Sequence, residues 1–449
     1  MESCRGRHVV AKAAISLHND ALTIVNASLA PMELTDAPQR SLTFLLLYAL
    51  AWGAGVVAYV PLLTLILPVK IEAIAGADKM ALLSLTTLVG AAVASVVNIG
   101  VGVLSDRTVM GRRGRRPWIL GGLILTLCGY ECIHAASTPV QVVLAVAIFQ
   151  AALNTMLAPL SAMAADEVPD SQKGLIGGLM GAVYTFGGIA GVLVTASPAF
   201  GEGLQLVMTG ALVTAGVVPL LIVSRRRGAI IPAAVTDVST KALRVRNLAR
   251  VWIARLLIQI AGTIFFAYLL FYFETVDRTG LRFGPTDVAG QVAWLSSIVT
   301  VVLAPLAIAA GRFSDALRMR KPFLLLSAAM TMVGAVVMGV WPQWAPAALG
   351  YVLFACGASL FLAFQGTYAM QLLVKPRHRG RDMGLLNLTN TIPALIAPGL
   401  AYVLAAEGDF TILLLALAGL TLVALVLVMQ ISEQADWWPD GGQQGDQAP

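Results

Sequence analysis

Twelve apolar runs, each about as long as a bilayer is thick, leave this chain few choices. A helix needs about 20 apolar residues to cross the hydrocarbon core, because its backbone polar groups must be satisfied internally there. Runs of that length cover residues 42–67, 80–104, 117–137, 140–164, 174–199, 203–224, 249–273, 288–311, 322–341, 345–373, 381–406 and 409–431. They are too continuous and too long for barrel strands. The expected fold is all-α and polytopic, with 12 transmembrane helices in two pseudo-symmetric six-helix bundles. Only 12% of the 449 residues are charged and 58% are hydrophobic, about half the charge of a soluble domain.

The two-bundle expectation rests on a duplication. Gly102 to Ile119 reads GVLSDRTVMGRRGRRPWI, and Gly311 to Phe323 reads GRFSDALRMRKPF. In both, Gly and Ser-Asp end one apolar run, a basic loop follows, and Pro opens the next. Paired, repeated halves in a membrane are the architecture of secondary transporters. The divisions expected are a segment over 1–40, a first bundle over 41–224, a linker over 225–247, a second bundle over 248–432 and a disordered tail over 433–449. The apolar part of residues 1–40 is broken by Lys12, His18, Asn19 and Asp20, unlike a cleaved signal. Met32 is a second candidate start, and an amphipathic surface helix is the competing reading of this segment.

Basic residues set the orientation. Arg107, Arg112, Arg113, Arg115 and Arg116 follow the second run, Arg225, Arg226 and Arg227 the sixth, and Arg318, Arg320 and Lys321 the eighth; loops after odd-numbered runs hold only Lys70, Lys79, Arg278 and Arg282. The positive-inside rule makes the even loops and both termini cytoplasmic. The net charge of +6 is therefore a topology signal, and no basic domain suited to nucleic acid is present. A cell membrane is expected, the inner membrane for a bacterial source.

The loop SDR…GRRGRRPW resembles the loop between the second and third helices of the major facilitator superfamily. Its Pro-Trp ending resembles most the glycoside/sucrose-type symporter branch. Asn154, Pro159 and Asp166 also resemble a motif at the fourth helix of sucrose-type symporters, although Ser161 stands where those carry Arg. The resemblance implies that Asp106 reaches the N-terminus of the eleventh helix near Gly380 to Asp382, where a carboxylate meets a positive helix end. Arg107, Arg112 and Arg116 would then exchange between Asp106 and Asp166 or Glu167. The alternative is that these charges set topology alone. Asp315 is the degraded second copy, with Ala316 in place of the Arg, so an asymmetric latch is expected. The glycines of the fifth run (Gly174, Gly177, Gly178, Gly181, Gly187, Gly188 and Gly191) form a small-residue face suited to close helix approach.

The resemblance also implies that the first, fourth, seventh and tenth helices line the central cavity. Tyr48, Trp52, Tyr59, Gln150, Asn154, Gln259, Tyr268, Tyr272, Gln365 and Tyr368 fall there, with Tyr59 and Tyr272 alternatively interfacial belt residues. The substrate set taken from them is Trp52, Gln150, Asn154, Gln259, Tyr268, Gln365 and Tyr368. Uncharged hydrogen-bonding groups among flat rings suit a neutral polyol or an amphipathic ligand. Glu131 and His134, one turn apart, form a candidate proton-coupling pair, against the duller reading of a pair satisfied at the outer interface. Arg255 is expected to snorkel to the cytoplasmic surface, or else to meet an anionic ligand. Cys128 and Cys132 lie near Glu131 and His134 but spread around the helix, so neither metal nor cofactor is expected.

A solute carrier is the leading expectation, a secondary active or facilitative transporter of a small organic solute such as a sugar or glycoside. It works by alternating access as a monomer, with a proton or sodium ion as coupling partner. Export of amphipathic compounds, and a non-transporting sensor or assembly factor of the same fold, are the competing readings. No phosphate-cradling or HExxH pattern points to an enzyme.

Overall fold

Helices account for nearly all of the described chain. The structure, a computed structural model, describes residues 39–109, 114–183, 189–191, 193–194, 200–223, 238–276, 287–317, 319–373, 375–404 and 410–432. The 1–40 segment (apart from Gln39 and Arg40), most of the expected linker, the tail, and Arg112, Gly187 and Gly188 lie outside these residues. The helices are α1 (Leu42–Pro61), α2 (Leu67–Ala75), α3 (Lys79–Asp106), α4 (Arg116–Ala135), α5 (Pro139–Glu167), α6 (Lys173–Ala182) and α7 (Glu202–Val223). They continue with α8 (Val238–Thr275), α9 (Val288–Ala316), α10 (Lys321–Val340), α11 (Trp344–Leu372), α12 (Arg379–Leu404) and α13 (Thr411–Met429). Among the described residues nine helical stretches are long and apolar enough to cross a membrane. One of them, Leu42–Asp106, is 65 residues long and holds two of the expected crossings.

Local chemistry explains where the elements begin, bend and reverse. Pro61 cannot donate a backbone hydrogen bond, and the helix widens into a π-helical turn at Leu62–Ile66 directly after it. Gly76, with φ of 52°, permits the reversal between α2 and α3. Thr138 and Gln141 form a reciprocal capping box at the start of α5, and the Asp287 carboxylate accepts from the Gly290 N–H at 2.7 Å to cap α9. Pro117 and Pro322, the prolines of the duplicated motif, occupy the first turns of α4 and α10, where the missing N–H is harmless. The last carbonyls around α13 take donors from Arg250 (to Gln430, 2.6 Å) and Lys321 (to Ile431, 2.6 Å), cations at the negative end of a helix. Helix α8 begins at Val238, inside the stretch read as linker.

Two apolar clusters form the core. One joins residues from Phe44 to Leu220, with Met370, and the other joins residues from Ile260 to Ala418. Between them α3 packs along α12 and α6 along α9. These two crossings frame the site.

Candidate functional site

At the Arg-rich end, α3 and α12 touch through glycines. A Cβ on Gly102 would stand 2.4 Å from the Gly380 carbonyl oxygen, so only glycine allows this approach. The contact brings Asp106 to the first turn of α12, where its carboxylate accepts from the N–H of Gly380 at 2.7 Å and of Arg381 at 3.0 Å. A negative group thus sits on the positive end of a helix. Arg115 completes the arrangement, donating to Asp106 at 2.7 Å, to Asp166 at 2.6 Å and to the Ser105 hydroxyl at 2.6 Å. Arg379 donates to the other oxygen of Asp166 at 3.3 Å. All four charged side chains are buried, where a charge is tolerable only when paired and hydrogen-bonded.

The Asp106 placement agrees with what the resemblance implied; the arginine assignment does not. Arg115 bridges Asp106 and Asp166, and Arg112 lies outside the described residues. Gly114, with φ of 57°, turns the chain immediately before it, and Arg115 stands just ahead of α4 while Arg116 is already its first residue. Arg107 is exposed. Glu167 pairs with Arg40, which also accepts at its backbone carbonyl from Gln172 at 3.0 Å.

The second copy of the motif makes the same carboxylate contact with a helix N-terminus. Gly311 faces the Gly174 carbonyl, with a Cβ–oxygen distance of 2.4 Å. The Asp315 carboxylate accepts from the N–H of Gly174 at 2.8 Å and of Leu175 at 2.7 Å. Arg320 donates to Asp315 and to the Ser314 hydroxyl, the latter at 2.7 Å. Arg320 is the counterpart of Arg115, each two residues before the loop proline. The missing Arg at Ala316 has no consequence, since its first-half counterpart, Arg107, is outside the latch. What the second copy lacks is an acidic partner like Asp166, because α11 ends without an acidic residue. Further along α6, added Cβ atoms on Gly177 and Gly178 would meet Thr367 and Ala307. Gly174, Gly177, Gly178 and Gly181 of the fifth run therefore pack against the other half, whereas Gly191 faces Pro61 and Leu65 of its own.

Between the halves lies a cavity of about 580 Å³. Its described lining comes from α1, α3, α5, α6, α8, α9, α11 and α12, and none from α4, α7, α10 or α13. The second helix of each three-helix repeat thus shares the lining with the first. Trp52, Gln150, Asn154 and Gln259 line it as expected, as does Tyr59. Asn98 donates to the Asn154 side-chain oxygen at 2.9 Å, and the Ser95 and Thr391 hydroxyls meet across the halves at 2.7 Å. Gln259 donates to Asn390 at 3.0 Å, and Asn390 to Asn387 at 2.7 Å. Asn387, Asn390 and Thr391 were missed; their three- and four-residue spacing in an apolar run was the available signal.

Other expected residues stand elsewhere. Gln365 is fully buried and reaches the cavity only through Arg255, which donates to its side-chain oxygen. Tyr368, buried, is outside the described lining. Tyr268 packs its ring on Phe271 and Phe410, and Tyr272 donates to the Met338 carbonyl at 2.9 Å. Tyr48 is likewise a core residue, its hydroxyl donating to the Leu160 carbonyl at 2.9 Å. Arg255 does not snorkel outward. It lines the cavity and donates to Asn390 at 3.0 Å as well as to Gln365. Glu131 is exposed, and His134 turns toward Glu202, with Nδ1 3.9 Å from its carboxylate, while Lys70 bonds the same carboxylate at 2.7 Å. Neither Glu131 nor His134 lines the cavity.

Residues 288–447 match the sequence profile of the Major Facilitator Superfamily. No curated protein sequence matches the chain. Among solved structures, the human organic anion transporter MFSD10 (TETRAN) superposes with a TM-score of 0.65 at 14% identity, covering 86% of this chain and 99% of that one. The E. coli fucose:proton symporter FucP (N162A) gives 0.63 at 15%, covering 87% and 98%. A bacterial homologue of the iron transporter ferroportin, in its outward-facing state, gives 0.63 at 15%, covering 86% and 98%. With its apolar helices and these superpositions, the chain is a multi-pass membrane protein with the major facilitator superfamily fold.

Proposed function

We propose that this protein moves a small organic solute across the membrane by alternating access. The observation that carries the reading is the cavity between the halves, together with two matching carboxylate-to-helix contacts made across the interface at the Arg-rich end; we read these contacts as latches. Each latch is a carboxylate on a helix N-terminus, an interaction made across the interface and therefore lost when the halves part. By the positive-inside rule the latched end and both termini face the cytoplasm, so the latched form is the one closed to the cytoplasm. Rocking of the halves that parts these contacts then exposes the chamber to the cytoplasm.

The lining supports two solute classes. Amides and hydroxyls beside Trp52 and Tyr59 suit a sugar or glycoside taken up with or without a coupling ion. The leucines and methionines of the same wall, Leu63, Leu157, Met180 and Met383 among them, suit export of an amphipathic compound. Its structural neighbours carry an organic anion, a sugar and iron by their names, so the fold does not choose. Accumulation of a labelled disaccharide in cells making the protein supports uptake; exclusion of lipophilic dyes supports export. Proteoliposomes in which wild type moves no more of either than empty vesicles would count against transport.

A further inference from the structure

Arg255 is the one charged side chain among the described residues that line the cavity, and no Asp or Glu stands with it there. A cation inside a membrane helix is unfavourable on insertion scales. Its cheapest refuge is the surface, reached by extending the side chain along the helix. Arg255 instead turns inward, toward Gln365 of α11 and Asn390 of α12.

The cluster around it is rich in donors. The Asn390 side-chain oxygen accepts from both Arg255 and Gln259, each at 3.0 Å. The Gln365 oxygen accepts from Arg255, while the Gln365 amide nitrogen is buried without a hydrogen-bond partner. The acceptors Arg255 meets here are neutral amide oxygens, roughly half as strong as a carboxylate toward a guanidinium. A buried donor left unmatched is itself unfavourable. Among the described residues that line this corner of the cavity, none is acidic.

We propose that the cavity takes an organic anion, with Arg255 binding the carboxylate, Gln365 and Asn390 orienting the guanidinium, and Gln259 on the same wall sharing the carboxylate oxygens. The apolar wall takes the hydrocarbon or aromatic body of the same molecule, so the ligand class is an amphipathic carboxylate. This deepens the transport reading and rests on it for the claim that the ligand is carried.

The test pairs acids with their own amides, which match in shape and differ in charge. Purified full-length protein in detergent is titrated with 4-phenylbutyrate and 4-phenylbutyramide, and with indole-3-acetate and indole-3-acetamide, reading tryptophan fluorescence and the thermal midpoint. The acids raise the midpoint of wild type and the amides do not. Arg255→Gln weakens acid binding by about tenfold or more, the scale of one charge-assisted hydrogen bond, and Arg255→Lys keeps the preference for acids. The proposal is overturned if amide and acid bind alike, if no acid of the panel acts on wild type, or if Arg255→Gln, monodisperse and folded, binds acids as wild type does. Should that variant not fold, the acid–amide comparison on wild type and on Arg255→Lys decides. Acid binding through Arg255 without acid flux into proteoliposomes removes the transport reading alone. Disaccharide flux that Arg255→Gln leaves intact, without acid binding, removes the anion site alone.

Discussion

Gly102 and Gly380 lie backbone against backbone across the two halves, with room for no side chain: each Cβ, if added, would fall 2.4 Å from the other residue's carbonyl oxygen. Gly311 and Gly174 repeat the contact within 0.1 Å, at 2.4 and 2.5 Å. Real Cβ atoms do not approach backbone so closely, and backbone cannot move aside as a flexible side chain can. Gly102→Val and Gly311→Val should therefore each hold the Arg-rich end apart. A cysteine placed at Asn98 in a cysteine-free background should react faster with a thiol reagent from that side in either variant. Labelling at the parental rate would show that the contact is not needed for closure.

Asp106→Asn keeps the shape of the side chain but removes the charge facing both the α12 N-terminus and Arg115. Losing one member of a buried charge network is unfavourable by about 3 kcal/mol. Transport should fall while insertion and expression stay normal, and normal flux would argue against the latch. Asp315→Asn should cost flux to a similar degree, because its backbone contacts are equivalent.

Arg115 and Arg116 are neighbours with different duties. Arg115→Ala should lower flux and thermal stability, since it removes the cation shared by Asp106 and Asp166 and leaves them only the Gly380 and Arg381 N–H groups and Arg379. Arg115→Lys should rescue only part of this, because a single ammonium cannot reproduce the fork that holds two carboxylates and a hydroxyl. Arg116→Ala should be mild by both measures. Equal losses in the two alanine variants would refute the assignment.

Gln150 lines the cavity and Gln365 backs Arg255. Gln150→Ala and Gln365→Ala should shift apparent affinity by several-fold with smaller effects on maximal rate, read from concentration dependence of uptake. Kinetics unchanged in both would take them out of the binding site.

Glu131→Gln and His134→Gln should leave the pH dependence of transport as it is, because neither side chain reaches the cavity. A pH profile displaced in either variant would restore the pair as a coupling site.

Much of this arrangement was legible before any coordinates. The Ser-Asp motif, read with the family it resembles, points Asp106 at the stretch from Gly380 to Asp382, and its carboxylate accepts from the N–H of Gly380 and Arg381 there. Choosing between Arg115 and Arg116 was not legible, because a single residue of phase at the start of α4, set by the left-handed Gly114, decides which guanidinium turns inward. Asp315 was underrated because sequence similarity counted the absent Arg at 316, whereas the working cation is two residues before the proline in both copies. Helix order and polar chemistry in the sequence place Tyr48, Tyr268 and Tyr272 in the cavity, but the Tyr48 and Tyr272 hydroxyls donate to backbone carbonyls of the core and the Tyr268 ring packs on Phe271 and Phe410.

The order of apolar runs, the doubled motif and the bias of basic loops follow from composition along a line. Hydrophobicity and charge act on each segment independently of its neighbours, so a linear reading captures them. Which face of each helix looks inward is different, since it depends on how a dozen helices settle against one another at glycine contacts. Arg255 shows the divide: its charge and depth were plain in the chain, but only the packing of α8 against α11 and α12 turned it from the surface into the chamber.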